Sequence, residues 1–191
     1  MAKYKLGIVV GSNRRDSLNR KLAEALTKLS ADKFDSKFLK IDDLPLYNQD
    51  DEANPPSSVT RLKAEILACD GILFVTPEYN RSIPPVLKNA LDWAGRPYGK
   101  GAWTGKPAAI TGTSPGAIGA GIAQQHLRQV LGSGLAMHVM GGEAYISFKP
   151  DLLDASGSFT DQTTEGFLAA YMDQFATLVG RFAHSRHAAA A

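Results

Sequence analysis

Cysteine is nearly missing from this chain: Cys69 stands alone among 191 residues, so no internal disulfide can form and a reducing cytoplasm is the expected setting. Long hydrophobic runs are missing too, and none approaches the ~20 apolar residues of a helical membrane span. Met1, Ala2, Lys3, Tyr4 and Lys5 lead straight into a strand pattern without the apolar region of a signal peptide. Charge of one sign is also lacking. Lys and Arg number 21 against 19 Asp and Glu, a net charge of +2, and the basic residues are scattered, which disfavours a nucleic-acid surface. His126 and His138 are isolated and His184 and His187 lie near the end, so no metal-ligand spacing occurs and no metal is expected. Two further omissions concern phosphates. There is no Gly-Lys-Ser/Thr and no Gly-x-Gly-x-x-Gly after the first strand, which argues against a nucleotide-hydrolase loop and a Rossmann dinucleotide site.

What remains is the composition of a globular domain, 44% hydrophobic and 21% charged. One domain over 1–183 is expected, with 184–191 as a disordered tail, because those last residues carry no pattern. Apolar runs at 6–10, 38–41, 72–76, 108–111 and 135–140 read as strands. Between them lie helical spacings: Leu18, Leu22, Ala25, Leu26 and Leu29 behind the capping Ser17; Val59, Leu62, Ile66 and Leu67 behind Ser57 or Ser58; Leu87, Ala90, Leu91 and Ala94 after Pro84-Pro85. A fourth helix carries Ile122, Leu127, Val130 and Leu131, and a fifth runs from about 163 to 182. Alternation of this kind predicts a doubly wound, flavodoxin-like α/β fold: five parallel strands in the order 2-1-3-4-5, with helices on both faces.

Such sheets bind ligands beyond the carboxyl ends of their strands, where the order reverses. Three segments arrive there. In the loop 11–19, Ser12, Ser17 and Asn19 offer hydrogen bonds, Arg14 and Arg15 offer charge, and the helix start offers unpaired N–H groups, an anion site suited to a phosphate monoester. The same loop read plainly is a β-to-α turn whose serine caps a helix. Pro77-Glu78-Tyr79-Asn80 follows the buried third strand and presents an acid and an aromatic ring, against which a planar heterocycle could lie; a packed tyrosine beside a turn-forming asparagine is the plainer reading. Ser114-Pro115-Gly116 forms a third wall, its glycine allowing close backbone approach. Cys69 reads as an inert core thiol, and Trp93 and Trp103 as packing residues.

Gly11-Ser12-x-Arg14-x-x-Ser17-x-Asn19, Pro77-Glu78-Tyr79-Asn80 and the segment from Ser82-Ile83-Pro84-Pro85 to Asn89-Ala90-Leu91-Asp92-Trp93 resemble the NADPH-dependent FMN reductase family, with particular likeness to its bacterial quinone and chromate reductases. The resemblance spans Lys5 to about Phe182. It implies tightly but non-covalently bound FMN, its phosphate held by Ser12, Arg14, Ser17, Leu18 and Asn19. Pro77, Glu78, Tyr79 and Asn80 would flank the isoalloxazine, and Ser114, Pro115 and Gly116 would close the far edge. NADPH or NADH would reduce the flavin, and a quinone-like acceptor (chromate, azo compounds or free flavin also being possible) would take the electrons in a ping-pong cycle, with no catalytic side chain needed. Homodimers or homotetramers are implied, and His126-Leu127-Arg128-Gln129 with Gly141-Gly142-Glu143 resembles the region where tetrameric members pair; Gln125 departs from the aromatic residue common there. The alternative is a flavodoxin-type electron carrier, but such carriers are strongly acidic and this chain is not. No segment stands out as a site for the 2′-phosphate that separates NADPH from NADH.

Overall fold

Residues 3–189 are described by the computed structural model, with side chains through Ala183. In chain order the elements are β1 (Tyr4–Val10), α1 (Leu18–Leu29), β2 (Phe34–Phe38), α2 (Ser57–Leu67), β3 (Gly71–Val75), α3 (Pro85–Ala94), β4 (Pro107–Ser114), α4 (Gly121–Gln129), β5 (His138–Val139), β6 (Ala144–Ser147) and α5 (Gln162–Ala189). The strands pair in the order β2-β1-β3-β4-β5, every pair parallel, with β6 also on β4. This is the expected flavodoxin-like order.

The two-residue period of the strands sorts the core into two layers. Leu6, Ile8, Val10, Leu73 and Val75 pack under α1 and α5. Val9, Ile72, Phe74 and Ile110 face α2, α3 and α4. All residues of β3 are buried, and each large apolar side chain there contributes about 1.5–3 kcal/mol. That central burial is why β3 is the clearest strand in the sequence.

Two strands differ from the sequence reading. The second lies at Phe34–Phe38 rather than 38–41. As an edge strand it buries Phe34 but alternates through Asp35, Ser36 and Lys37, so no apolar run marks it. Leu39 makes the last ladder bond, its N–H donating to Ile8 O at 2.9 Å, and its side chain and Ile41 join the core facing α2 and α3. The fifth position is divided: β5 aligns with Pro107 and Ala108, and β6 with Thr111 to Ser114, giving six strands. The chain leaves α4 through a π-helical turn, and Ala136 has φ +54°, so pairing starts only at His138. The helix α5 extends to Ala189; the tail expected to be disordered, 184–191, has no described side chains, and residues 190 and 191 lie outside the described residues.

Ser17 caps α1 as expected, its Oγ accepting from Arg20 N at 3.2 Å, whereas α2 begins behind Pro56 without a side-chain cap. Both tryptophans are packing residues: Trp93 Nε1 donates to Pro45 O at 2.8 Å and Trp103 Nε1 to Leu91 O at 3.2 Å. Cys69 is buried, and its thiol donates to Glu65 O at 3.2 Å. Burial pushes that thiol's pKa up, against the opposing pull of Lys106. An aromatic disulfide reagent at pH 8 is therefore expected to leave Cys69 unmodified in the native protein and to titrate it fully in denaturant; rapid native labelling would contradict an inert core thiol.

Candidate functional site

The carboxyl ends of β1, β3 and β4 lie side by side. Gly11 N donates to Val75 O at 2.9 Å, and Thr76 N to Thr111 O at 3.0 Å. The segments after these strands therefore share one edge of the sheet.

In the first segment, Ser17 is buried and ends its role as a cap, while Ser12 is half-buried and accepts from Arg14 N at 3.4 Å. Asn19 is 3% exposed and is fully engaged elsewhere: its Nδ2 donates to Thr113 O at 2.9 Å, and Thr113 N donates to its Oδ1 at 2.9 Å. This reciprocal pair ties the start of α1 to β4. The backbone N–H groups of Ser17, Leu18 and Asn19 donate to no protein group among the described residues, and the Arg14 guanidinium is exposed without an acidic partner there. Unpaired first-turn donors beside an unpaired cation fit a phosphate.

In the second segment, Tyr79 and Ser82 exchange backbone hydrogen bonds, both at 2.9 Å, across Asn80 at φ +51° and Arg81 at φ +64°. Two positive φ values make this a type I′ turn, which costs strain at a non-glycine residue. Tyr79 is 44% exposed, so its ring lies open at the sheet edge. Glu78 is not open. Its Oε2 accepts from Ile122 N at 3.0 Å and Ala123 N at 3.1 Å, and its Oε1 meets Arg81 at 3.2 Å. The carboxylate thus caps α4, whose own N-cap residue, Ala120, has no side chain to do so. Ser82 Oγ also lies 2.8 Å from His126 Nδ1, a second tie between the turn and α4.

The third segment runs from Ser114, whose Oγ donates to Gly116 O at 3.4 Å, past the exposed Pro115 and Gly116. Gly119 has φ +56°, and a Cβ there would meet Ile146 N at 2.5 Å, so only glycine lets the loop pass over β6. Gly116 differs: a Cβ would touch only Ser114 Oγ, at 3.5 Å. Packing within the protein does not demand glycine at 116, and the space is free for a flat ring to meet the backbone.

A cavity of about 580 Å³ opens against the first loop, lined by Ser12, Arg14 and Arg15 of that loop together with Arg20, Phe38, Lys40 and Val86. Sequence reasoning missed this site beyond the two loop arginines, because its cations come from separate elements. The Glu78 cap was likewise invisible, since its partners are backbone groups 44 and 45 positions away. Arg128 donates to Met140 O and Gly142 O, both at 2.6 Å, and Gln125 to Glu143 at 2.7 Å, so the segments resembling a subunit-pairing region already form one network within the chain. Hydrogen bonds from Gln125 and Tyr145 hold the Glu143 carboxyl below its usual range. Among the described residues no cluster of His, Cys, Asp and Glu could hold a metal ion.

The chain is similar to known proteins over most of its length. The family described as NADPH-dependent FMN reductase matches residues 4–151. A 2-hydroxy-1,4-benzoquinone reductase from a Burkholderia species is 47% identical over 175 residues, covering 92% of this chain and 96% of that protein. A quinone reductase from Pseudomonas putida is 48% identical over 178 residues, covering 92% and 95%. Among solved structures, FerB, a flavoenzyme NAD(P)H:(acceptor) oxidoreductase from Paracoccus denitrificans, superposes with a TM-score of 0.89 at 46% identity, covering 94% of this chain and 98% of FerB.

Proposed function

Because this chain belongs to the NADPH-dependent FMN reductase family, we propose that it is an FMN-dependent enzyme that carries electrons from NADPH or NADH to quinones. The observation that carries the reading is the meeting, on one sheet edge, of unpaired α1 donors, the open Tyr79 and the open face of Gly116. When bound, FMN supplies the two-electron chemistry.

The chain's own residues bind and orient. The phosphate is assigned to the N–H groups of Ser17, Leu18 and Asn19, with Ser12 and Arg14. Asn19's side chain serves by holding α1 on β4 rather than by touching the ligand. Pro77, Tyr79 and Asn80 present backbone and ring beside the heterocycle, with Glu78 as their anchor to α4. Ser114, Pro115 and Gly116 close the far side. No side chain moves a proton or forms a bond in this scheme. Neighbouring strands are ~4.8 Å apart, so these walls subtend the width of a flavin without rearrangement.

Anaerobic addition of NADPH or NADH to FMN-loaded protein is expected to bleach the flavin, and a quinone to restore its colour. Absence of bleaching with both would leave only the electron-carrier reading, which the near-neutral charge already disfavours. Arg14→Ala should weaken FMN binding about tenfold, the loss of one charge-assisted phosphate contact of roughly 1.5 kcal/mol. Unchanged FMN retention would remove Arg14 from the phosphate site. Chromate, azo compounds and free flavin are acceptors that an open pocket admits as well. A homodimer or homotetramer in the cytoplasm completes the proposal, the mass in solution being its test. Among the described residues no helix is long and apolar enough to cross a membrane.

A further inference from the structure

We propose that the cavity between the phosphate loop and the ends of β1 and β2 receives the adenosine half of the nicotinamide dinucleotide, and that its cations recognise the 2′-phosphate of NADPH. The assignment rests on the reductase reading above.

At about 580 Å³ the cavity is of a size that accepts a nucleoside, since ligand sites run to about 300–1,000 Å³. Its floor is apolar. Leu39 and Ile41 are buried beneath it, and Val86 forms a wall from the first turn of α3. The rim is basic: Arg14, Arg15, Arg20 and Lys40 stand against Asp42 as the acid in the lining. If Arg14 belongs to the flavin phosphate, three cations still face the cavity.

Their pairing leaves that charge available. Arg15 has no hydrogen bond or ion pair among the described residues. Lys40 Nζ stays 3.9 Å from Asp43, the outer limit of an ion pair. Arg20 is bonded through Nε to Glu24 at 2.7 Å and lies with Cζ 3.7 Å from the centroid of Phe38. The ring and the ion pair fix the guanidinium plane, and the remaining N–H groups donate to nothing among the described residues. A guanidinium held in place by an aromatic ring and an ion pair is a preorganised fork for a phosphate.

Position agrees with this use. From the end of β2 to the end of β4 there are three strand spacings, roughly 14 Å, a span that an extended dinucleotide covers. A nicotinamide placed against the flavin between Tyr79 and Gly116 therefore leaves the adenosine end over β1 and β2. The β1 loop borders both sites: Ser12 and Arg14, assigned above to the flavin phosphate, also line the cavity, so the two adjoin.

The test uses FMN-loaded protein, steady-state kinetics with each nicotinamide, and calorimetric titration with 2′,5′-ADP and with 5′-ADP. Wild type should bind 2′,5′-ADP more tightly than 5′-ADP, and 2′,5′-ADP should compete with NADPH. The double variant Arg20→Ala with Lys40→Ala should raise KM for NADPH about tenfold and weaken 2′,5′-ADP equally. KM for NADH, kcat with either nicotinamide and FMN content should stay within about twofold, because NADH lacks the recognised group. Lys40→Glu, a reversal at an exposed side chain, should show the same selectivity and serves if the double variant does not fold. Equal rises in KM for both nicotinamides, no change for either, no binding of 2′,5′-ADP to wild type, or loss of FMN would each overturn the assignment. Failure of the reductase reading is separate: it shows as no bleaching by either nicotinamide, and the 2′,5′-ADP titration still judges the cavity.

Discussion

Asn19→Leu is expected to cost about 3 kcal/mol of folding free energy, because each buried group left without a partner costs ~1–3 kcal/mol. At ~2–4 °C per kcal/mol for a chain of this size, Tm should fall by roughly 6–12 °C. Asn19 is almost fully buried and satisfies both the N–H and the C=O of Thr113. Leucine shares the Cγ branching and the number of side-chain heavy atoms but satisfies neither, so lost hydrogen bonding leads the cost, with some overpacking from its greater bulk added to it. Thr113 lies near the end of β4, just before the Ser114 wall, and Asn19 lies in the first turn of α1. The clamp therefore sets the distance between the phosphate donors and the far wall of the site. FMN affinity should fall with stability. Asn19→Asp makes an instructive control: it still accepts from Thr113 N but turns a carboxylate oxygen toward Thr113 O, so it should rescue little. Thermal melts of the apoproteins check this, and an unchanged Tm for Asn19→Leu would remove the clamp.

Glu78→Ala should lower stability by about 2 kcal/mol and weaken FMN binding together, because one carboxylate holds the helix start and the turn. Its Oε2 accepts two backbone N–H groups of α4, and its side chain is only 13% exposed. Without it, the first turn of α4 has no cap, since Ala120 offers none. The strained Asn80–Arg81 turn then keeps only the Ser82–His126 tie to α4, and the Tyr79 ring is held less firmly at the sheet edge. Glu78→Gln keeps an acceptor oxygen but gives up the charge at the helix N-terminus, and should recover about half of the loss. Apoprotein melting discriminates the roles. A residue that only touched the flavin would leave the apoprotein's Tm unchanged; a cap lowers it.

The sequence was most legible where one element carries its own signal. The buried run of β3, the Ser17 cap and the proline start of α3 each declare themselves locally, and each stands where expected. The edge strand β2 did not, because burial on one side of a single position, Phe34, makes no pattern. The fifth sheet position was legible as a strand but not as two, since its division depends on which stretch of β4 remains unpaired. Site residues followed the same rule. The three segments were recognisable as loops after strands, while the occupations of Asn19 and Glu78 were not. Both side chains pair with backbone N–H or C=O groups, which every residue carries and which therefore leave no mark in the sequence.

By itself the sequence determined the fold class and the loops at the sheet edge where such a fold binds ligands, and short motifs in those loops resemble those of a flavin-binding family. Those follow from periodicity and from short contiguous segments. Tertiary structure alone decided which polar side chains are spent on the scaffold and which cations gather into one cavity. Arg15, Arg20 and Lys40 are ordinary surface residues in the chain, and only the packing of β2 beside β1 and α1 makes them a single basic rim.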